Sequence, residues 1–252
     1  MEHSQIPVDI ITAAFLAAAL LKGITGLGFS TICLALLASV VDLRLAIPMV
    51  LVPSLGSNLL VMRQAGHFKH TLFEFRWMYL AALPGLLLGL TVFGSVKSSS
   101  SAAILGAVLV AYAIFALTNP AFALSRKKIS RLQIPVGLTT GLLNGTTGSQ
   151  VMPILPFLLS ASLPPERLVQ AGNISFTASS LVMMAGLAYL DILTLELLAF
   201  SALGLVPVYI GITAGGALRR RLPEKVFRIG VLLMLVALGL NLLRSWLQSP
   251  SA

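Results

Sequence analysis

With 252 residues, 57% of them hydrophobic and only 10% charged, and a mean hydropathy of +0.96, the chain is too apolar for a soluble globular domain, where charged residues make up about a quarter. Apolar segments between short charged loops consume the length and leave no room for a soluble catalytic domain, while a single cysteine, Cys33, excludes an internal disulfide and a cysteine-cluster metal site. The net charge of +9 could serve nucleic acid, but the basic residues lie in loops between hydrophobic runs, where their role is to set membrane topology.

The first ten residues carry Glu2 and Asp9 and no Lys or Arg, so they lack the basic start of a cleavable signal, and the first apolar segment is expected to be retained. That segment, Val8 to Val41, would be about 51 Å long as one straight helix at ~1.5 Å per residue. It is broken by Gly23, Gly26 and Gly28 in "KGITGLGF", and its arms, 8–21 and 29–41, are each short for a crossing of about 30 Å, which takes roughly 20 residues. Candidate spans follow near 45–62, 77–95 and 102–118. The region 134–161 is again interrupted, by Gly141, Gly145, Gly148, Pro153 and Pro156, and is followed by candidate spans near 168–189, 195–218 and 226–243.

The two halves correspond. Gly23, Thr25 and Gly26 match Gly145, Thr147 and Gly148 at an offset of 122, Pro84 matches Pro207 at 123, and Gly106 matches Gly230 at 124. The near-constant offset predicts a duplication, residues 1–124 and 125–252, each half a broken segment followed by three ordinary spans.

Charge selects the topology. If each broken segment crossed once, loop Lys and Arg would divide eight against eight, contrary to the expected cytoplasmic excess. If each is a hairpin, Arg63, Lys69, Arg76, Arg126, Lys127, Lys128, Arg131, Arg167, Arg219, Arg220, Arg221, Lys225 and Arg228 share one side, and only Arg44, Lys97 and Arg244 oppose them. The fold expected is therefore an all-α, multi-pass protein of a cell inner (plasma) membrane, both termini non-cytoplasmic, built from two inverted repeats, each a Gly-broken helical hairpin plus three transmembrane helices. Fully crossing arms would give ten spans with the same charge division.

Unwound backbone survives in a bilayer only where protein or water satisfies it, so the two breaks are expected to face inward and to meet near the midplane. Helices leaving them, starting near Phe29 and Val151, present free N–H groups and a positive dipole end suited to an anion. Gly23, Gly26, Gly28, Gly145 and Gly148 let the backbone approach, and Thr25, Ser30, Thr31, Thr146, Thr147, Ser149 and Gln150 offer neutral hydrogen bonds. Lys22 is the one formal charge expected at that depth; the alternative is that its stem snorkels to the interface. The second copy has Asn144 in its place, so the site is asymmetric. Asn58, Asn173 and Ser175, with Ser57, Thr177, Ser179 and Ser180, lie on the spans after each hairpin, where they bond between helices or line the pathway.

Close helix packing competes as an explanation of the glycines and fits Gly85, Gly89, Gly211, Gly215 and Gly216 best. His67 and His70 read as surface loop residues, Glu74, Asp191, Glu196 and Glu224 fall near span ends, and Trp77, Tyr79 and Trp246 suit interfacial belts. "GITGLG" lacks the Gly-Lys-Ser/Thr ending of a phosphate loop, no His/Asp/Glu/Cys set has metal-ligand spacing, and no hydrolytic triad is visible; no cofactor and no nucleic-acid partner is expected.

The broken first segment from "LLKGITGLGF" through "VPSLGSNL", its second copy from "GLLNGTTGSQ" through "QAGNISF", and the later Pro207, Gly211, Arg220, Leu222, Pro223, Phe227, Arg228 and Val231 resemble the TauE/SafE sulfite exporter family of membrane transporter proteins. The resemblance covers essentially the whole chain. It implies a permease for a small sulfur-containing or organic anion such as sulfite, thiosulfate or a sulfonate, with a proton or ion as possible coupling partner. Gln150, standing opposite Gly28, departs from a glycine-rich second copy. The reading is a secondary transporter working by alternating access. A membrane-embedded enzyme or assembly subunit, or a passive anion channel, are the alternatives.

Overall fold

A computed structural model describes residues 8–118, 123–219 and 224–248; Arg220, Leu222 and Pro223 of the motif above, and Arg221 of the basic loop, lie outside the described residues. Among those described, every regular element is a helix. In order these are α1 (Val8–Thr25), α2 (Phe29–Leu37), α3 (Leu43–Ala65), α4 (Phe68–Glu74), α5 (Arg76–Ser95), α6 (Ser98–Thr118), α7 (Arg126–Thr147), α8 (Ile154–Ser160), α9 (Pro165–Tyr189), α10 (Leu195–Leu203), α11 (Leu205–Arg219) and α12 (Glu224–Gln248). Seven stretches are long and apolar enough to cross a membrane: α1, α3, α5, α6, α9, α10 with α11, and the Val231–Gln248 part of α12. The chain is a polytopic helical membrane protein.

Both breaks occur where glycine adopts positive φ, Gly26 at 80°, Gly28 at 86° and Gly148 at 72°, a conformation that side chains with a Cβ resist. The first break reverses the chain. Phe15 of α1 and Phe29 of α2 meet in a tilted contact with ring centroids 6.2 Å apart, whereas fourteen further residues of continuous helix would separate them by ~21 Å. The second also returns to its starting face, because the Leu124 amide ahead of α7 donates to the Ser160 carbonyl at the end of α8 at 2.8 Å.

Three features of the broken segments differ from the sequence expectation. α1 has 18 residues and is itself long enough to cross. α7 runs unbroken through Gly141 and Gly145 to Thr147, so the second break is confined to 148–153, and Pro156 sits inside α8. The helix leaving that break starts at Ile154 rather than near Val151 and has only seven residues. Each hairpin therefore has a long first arm and a short second one, because the glycines inside α7 face a neighbouring helix and leave its hydrogen-bond ladder intact.

Those glycines set the packing. A Cβ on Gly85, Gly89, Gly137, Gly141 or Gly145 would meet backbone of the opposite helix between 2.0 and 2.3 Å away, so α5 and α7 lie backbone against backbone and run parallel, Met78 level with Gly137 and Leu86 with Gly145. The same small-residue contact joins α1 to α11, also parallel, with Gly211 against Leu16 and Gly215 against Leu20. The first arm of each hairpin thus packs on the second long span of the other half. α6 and α12 cross at Gly106 and Gly239, and here the direction is opposed: Gly106 meets Leu242 while Gly239 meets Leu109 and Val110. Gly216 packs against nothing within 4 Å, unlike the other four glycines expected at helix contacts.

Two sets of contacts mark the faces. Arg167 at the start of α9 pairs with Glu74 of α4, and Gln133 of α7 donates to the Glu74 carbonyl at 2.9 Å, which places the beginnings of α7 and α9 beside the loop that carries Arg63 and Lys69. On the opposite side, Arg44 at the start of α3 donates to the Val96 carbonyl at the end of α5 at 2.9 Å, and Asp42 caps α3 through the Arg44 amide at 2.8 Å. Tyr79 is not an interfacial residue: it is buried and its hydroxyl donates to the Ala171 carbonyl at 3.3 Å. Trp77 is half exposed, and His67 and His70 are exposed.

Candidate functional site

Lys22 stands on the last turn of α1 with no exposed surface. Its Nζ donates to Ser57 Oγ at 3.0 Å and to Asn58 Oδ1, both on α3. Ser57 in turn donates to the Ser54 carbonyl at 2.7 Å. Among the described residues the ion pairs found join Glu74 to Arg167 and to His70; Lys22 has only neutral acceptors. A buried cation without a counter-ion is costly.

A cavity of about 150 Å³ reaches this lysine, lined also by Gly23, Gly26, Val61, Val169 and Gly216, and it extends to Gln64 and Glu166, both exposed. Its mouth therefore lies on the Arg63–Arg167 face, beside one carboxylate, Glu166. A larger cavity of about 640 Å³ between α3 and α11 is lined mostly by Leu, Val, Ile, Met, Phe and Tyr, with Ser57, Arg63 and Gln170 among them.

The second break lies against the first. Thr31 and Ser149 hydroxyls are 3.1 Å apart, and the Gly26 carbonyl accepts from Asn173 Nδ2 at 2.9 Å. Gln150 Nε2 donates to Ser180 Oγ at 3.3 Å, and the Ser149 amide donates to Thr147 Oγ1 at 3.1 Å. Several buried atoms here have no partner: Asn58 Nδ2, Asn144 Nδ2 and Oδ1, Gln150 Oε1 and Asn173 Oδ1. Unpaired buried polar atoms are rare in native proteins, and these five gather on the two breaks and the spans beside them. α2 adds the free N–H groups of its first turn, at Phe29, Ser30 and Thr31.

Lys22 and Gly26 thus line one cavity and Ser30, Asn144, Gly148 and Gln150 a separate small void; Thr31 meets Ser149 between the breaks, Asn58 and Asn173 bond Lys22 and the Gly26 carbonyl, Gly28 caps α2, and Ser175 is buried on α9. Thr25 does not join them: it is exposed and spends its hydroxyl on the Leu21 and Leu27 carbonyls at 2.9 and 2.8 Å. Thr147 turns its hydroxyl to the Leu143 carbonyl at 2.6 Å. Gly23 and Gly145 serve close packing against α11 and α5, although Gly23 also edges the Lys22 cavity.

Three polar features escaped sequence reasoning. Ser54 joins Ser57 on one face of α3 at i, i+3 towards the breaks, a spacing readable in "PSLGSN" once α3 is known to be helical there. The Glu74–Arg167 pair joins residues 93 apart, and no local pattern announces it. Gln170, with its amide oriented to donate, bonds the Met62 and Gly66 carbonyls at 3.0 and 3.1 Å.

Comparison with curated proteins found no match, and none was found among solved structures. A family model, Sulfite exporter TauE/SafE, matches residues 10–242. That match takes in both broken hairpins, the buried lysine and all but the last turns of α12, and the chain belongs to the TauE/SafE family of membrane transporters.

Proposed function

We propose that the protein is a secondary transporter that binds a small anion beside Lys22 and carries it across a cell inner membrane by alternating access between two inverted halves, residues 1–124 and 125–252. One observation carries the reading: a fully buried lysine with only neutral partners faces a cavity of anion size that reaches one face of the molecule. The ammonium, the Asn58 amide and the backbone of the first break form the centre, with Asn173 holding the Gly26 carbonyl in place.

Inversion of the halves is supported by the opposed run of α6 and α12 together with the crossed pairings of α1 with α11 and α5 with α7. The termini on the non-cytoplasmic side follow from the basic loops, since Arg63, Lys69, Arg76, Arg126 and Arg167 all stand at the Glu74 face and cytoplasmic loops carry the excess of Lys and Arg. The family's description, sulfite exporter, points to sulfite as cargo, and thiosulfate or a sulfonate shares its chemistry. Such ions present several acceptor oxygens to Lys22, Asn58 Nδ2 and the α2 amides.

Reconstitution in proteoliposomes tests this. Flux of sulfite or thiosulfate should saturate and should show counterflow, in which unlabelled anion on one side drives labelled anion uphill. Flux that is linear in concentration with no counterflow would identify a pore, and no flux of any small oxyanion would refute the reading.

A further inference from the structure

The cavity at Lys22 has a counterpart. At the offset of 122 that relates the halves, Lys22, Gly26, Val61 and Val169 correspond to Asn144, Gly148, Met183 and Ile47. The first four line the cavity of about 150 Å³. The second four line a separate void of about 10 Å³, shared with Gln150 and Ser180. Equivalent positions therefore enclose two chambers, one open and one collapsed, and Leu34 and Ile47 close the second by crowding Gly148.

The collapsed chamber is polar where it matters. Asn144 is 1% exposed with both amide atoms unpaired, and Gln150 is 4% exposed with Oε1 unpaired. Ser30 and Ser180 bring hydroxyls to the same void. Gln150 Nε2 bonds Ser180 Oγ at 3.3 Å, but Asn144 Nδ2 and Oδ1 and Gln150 Oε1 are left without partners, and buried amides are normally satisfied.

We infer that Asn144, Gln150 and Ser180 form a second, uncharged subsite for the same anion, closed in this structure, which opens to the Arg44 face when the Lys22 cavity closes. The inference rests on the transport reading above and adds to it where the cargo goes after leaving the lysine. Amide N–H groups and hydroxyls donate to oxyanion oxygens. Amide oxygens accept from an O–H, so the donor set fits an oxyanion that carries a proton, such as hydrogen sulfite. A fixed charge on only one side of the path lets the anion be held tightly in one state and loosely in the other.

The test uses the full chain with Cys33→Ala in proteoliposomes, with Val169→Cys or Ile47→Cys added and a membrane-impermeant thiol reagent applied from either side, sulfite and thiosulfate serving as probes. The Val169→Cys variant should react from the Arg63 face and more slowly when a probe is present. The Ile47→Cys variant should react from the Arg44 face only when a probe is present to drive turnover. Persistent silence of Ile47→Cys at that face in liposomes that do transport the probe overturns the subsite, as does its reaction from the Arg63 face. If neither probe is transported, the transport reading fails, and the subsite with it. Asn144→Asp supplies an independent measure: a carboxylate there should raise the half-saturating anion concentration from the Arg44 face at least 10-fold, with a smaller change from the other face, and equal values for variant and parent overturn the assignment.

Discussion

Replacing Lys22 by methionine keeps the length of the stem and removes the ammonium. Two opposite effects follow from its surroundings. The substitution strips the hydrogen bonds to Ser57 Oγ and Asn58 Oδ1, and a buried acceptor left unmet costs ~1–3 kcal/mol. It also removes an unpaired charge from the interior, and converting buried charge to well-packed apolar volume often returns 1–4 kcal/mol, as an order of magnitude. For two acceptors the loss is ~2–6 kcal/mol against a gain of ~1–4 kcal/mol, so the central values largely offset and the net change should centre on about 1–2 kcal/mol of destabilisation. Anion affinity has no such compensation. A hydrogen bond to a charged group contributes about 1.5–3 kcal/mol, so affinity should fall roughly 10- to 150-fold at 1.4 kcal/mol per decade. Thermal unfolding of purified protein, with and without sulfite or thiosulfate, measures both numbers, since a ligand that binds only the folded form raises its melting temperature. The parent should show an anion-dependent rise that Lys22→Met lacks, with the variant melting only modestly lower without anion. An undiminished anion response in the variant would refute the role given to the lysine.

The α5–α7 contact makes a prediction about stability alone: Gly141→Ala puts a Cβ 2.0 Å from the Ala82 carbonyl oxygen, and the overpacking cost of ~1–3 kcal/mol or more outweighs the ~1 kcal/mol gain in helix propensity, so the melting temperature should fall. Gly216→Ala, with nothing within 4 Å, should gain that propensity and raise it; equal effects of the two would contradict the packing described. A double-mutant cycle of Thr31→Val and Ser149→Ala should show a coupling of about 0.5–1.5 kcal/mol across the 3.1 Å contact between the breaks, and additivity would mean that the tips do not touch. Glu74→Gln should cost only about 0.5–1 kcal/mol, because the pair with Arg167 is partly exposed, and the loss should shrink in high salt; a salt-independent loss would contradict an electrostatic origin.

Composition alone required a membrane protein, because a chain with 57% hydrophobic residues and 10% charged ones cannot keep its surface in water. Run lengths placed the long spans, and loop charge implied that both broken segments return to their starting face; the Phe15–Phe29 contact shows the first doubling back, and the Leu124–Ser160 bond joins the two ends of the second. These properties are local or additive along the chain, so they can be read one segment at a time. Tertiary structure decided the rest. Whether a glycine breaks a helix or packs it depends on what stands opposite: Gly148 turns the backbone, whereas Gly141 and Gly145, three to seven residues earlier, lie against α5 inside an unbroken helix. Likewise Thr25 and Thr31 look alike in the sequence, but the chain reversal between them leaves one facing outward and brings the other to Ser149. Lys22 could have snorkelled; what holds it inside is a pair of acceptors on α3, 35 and 36 residues away, and only the folded chain brings those groups within reach.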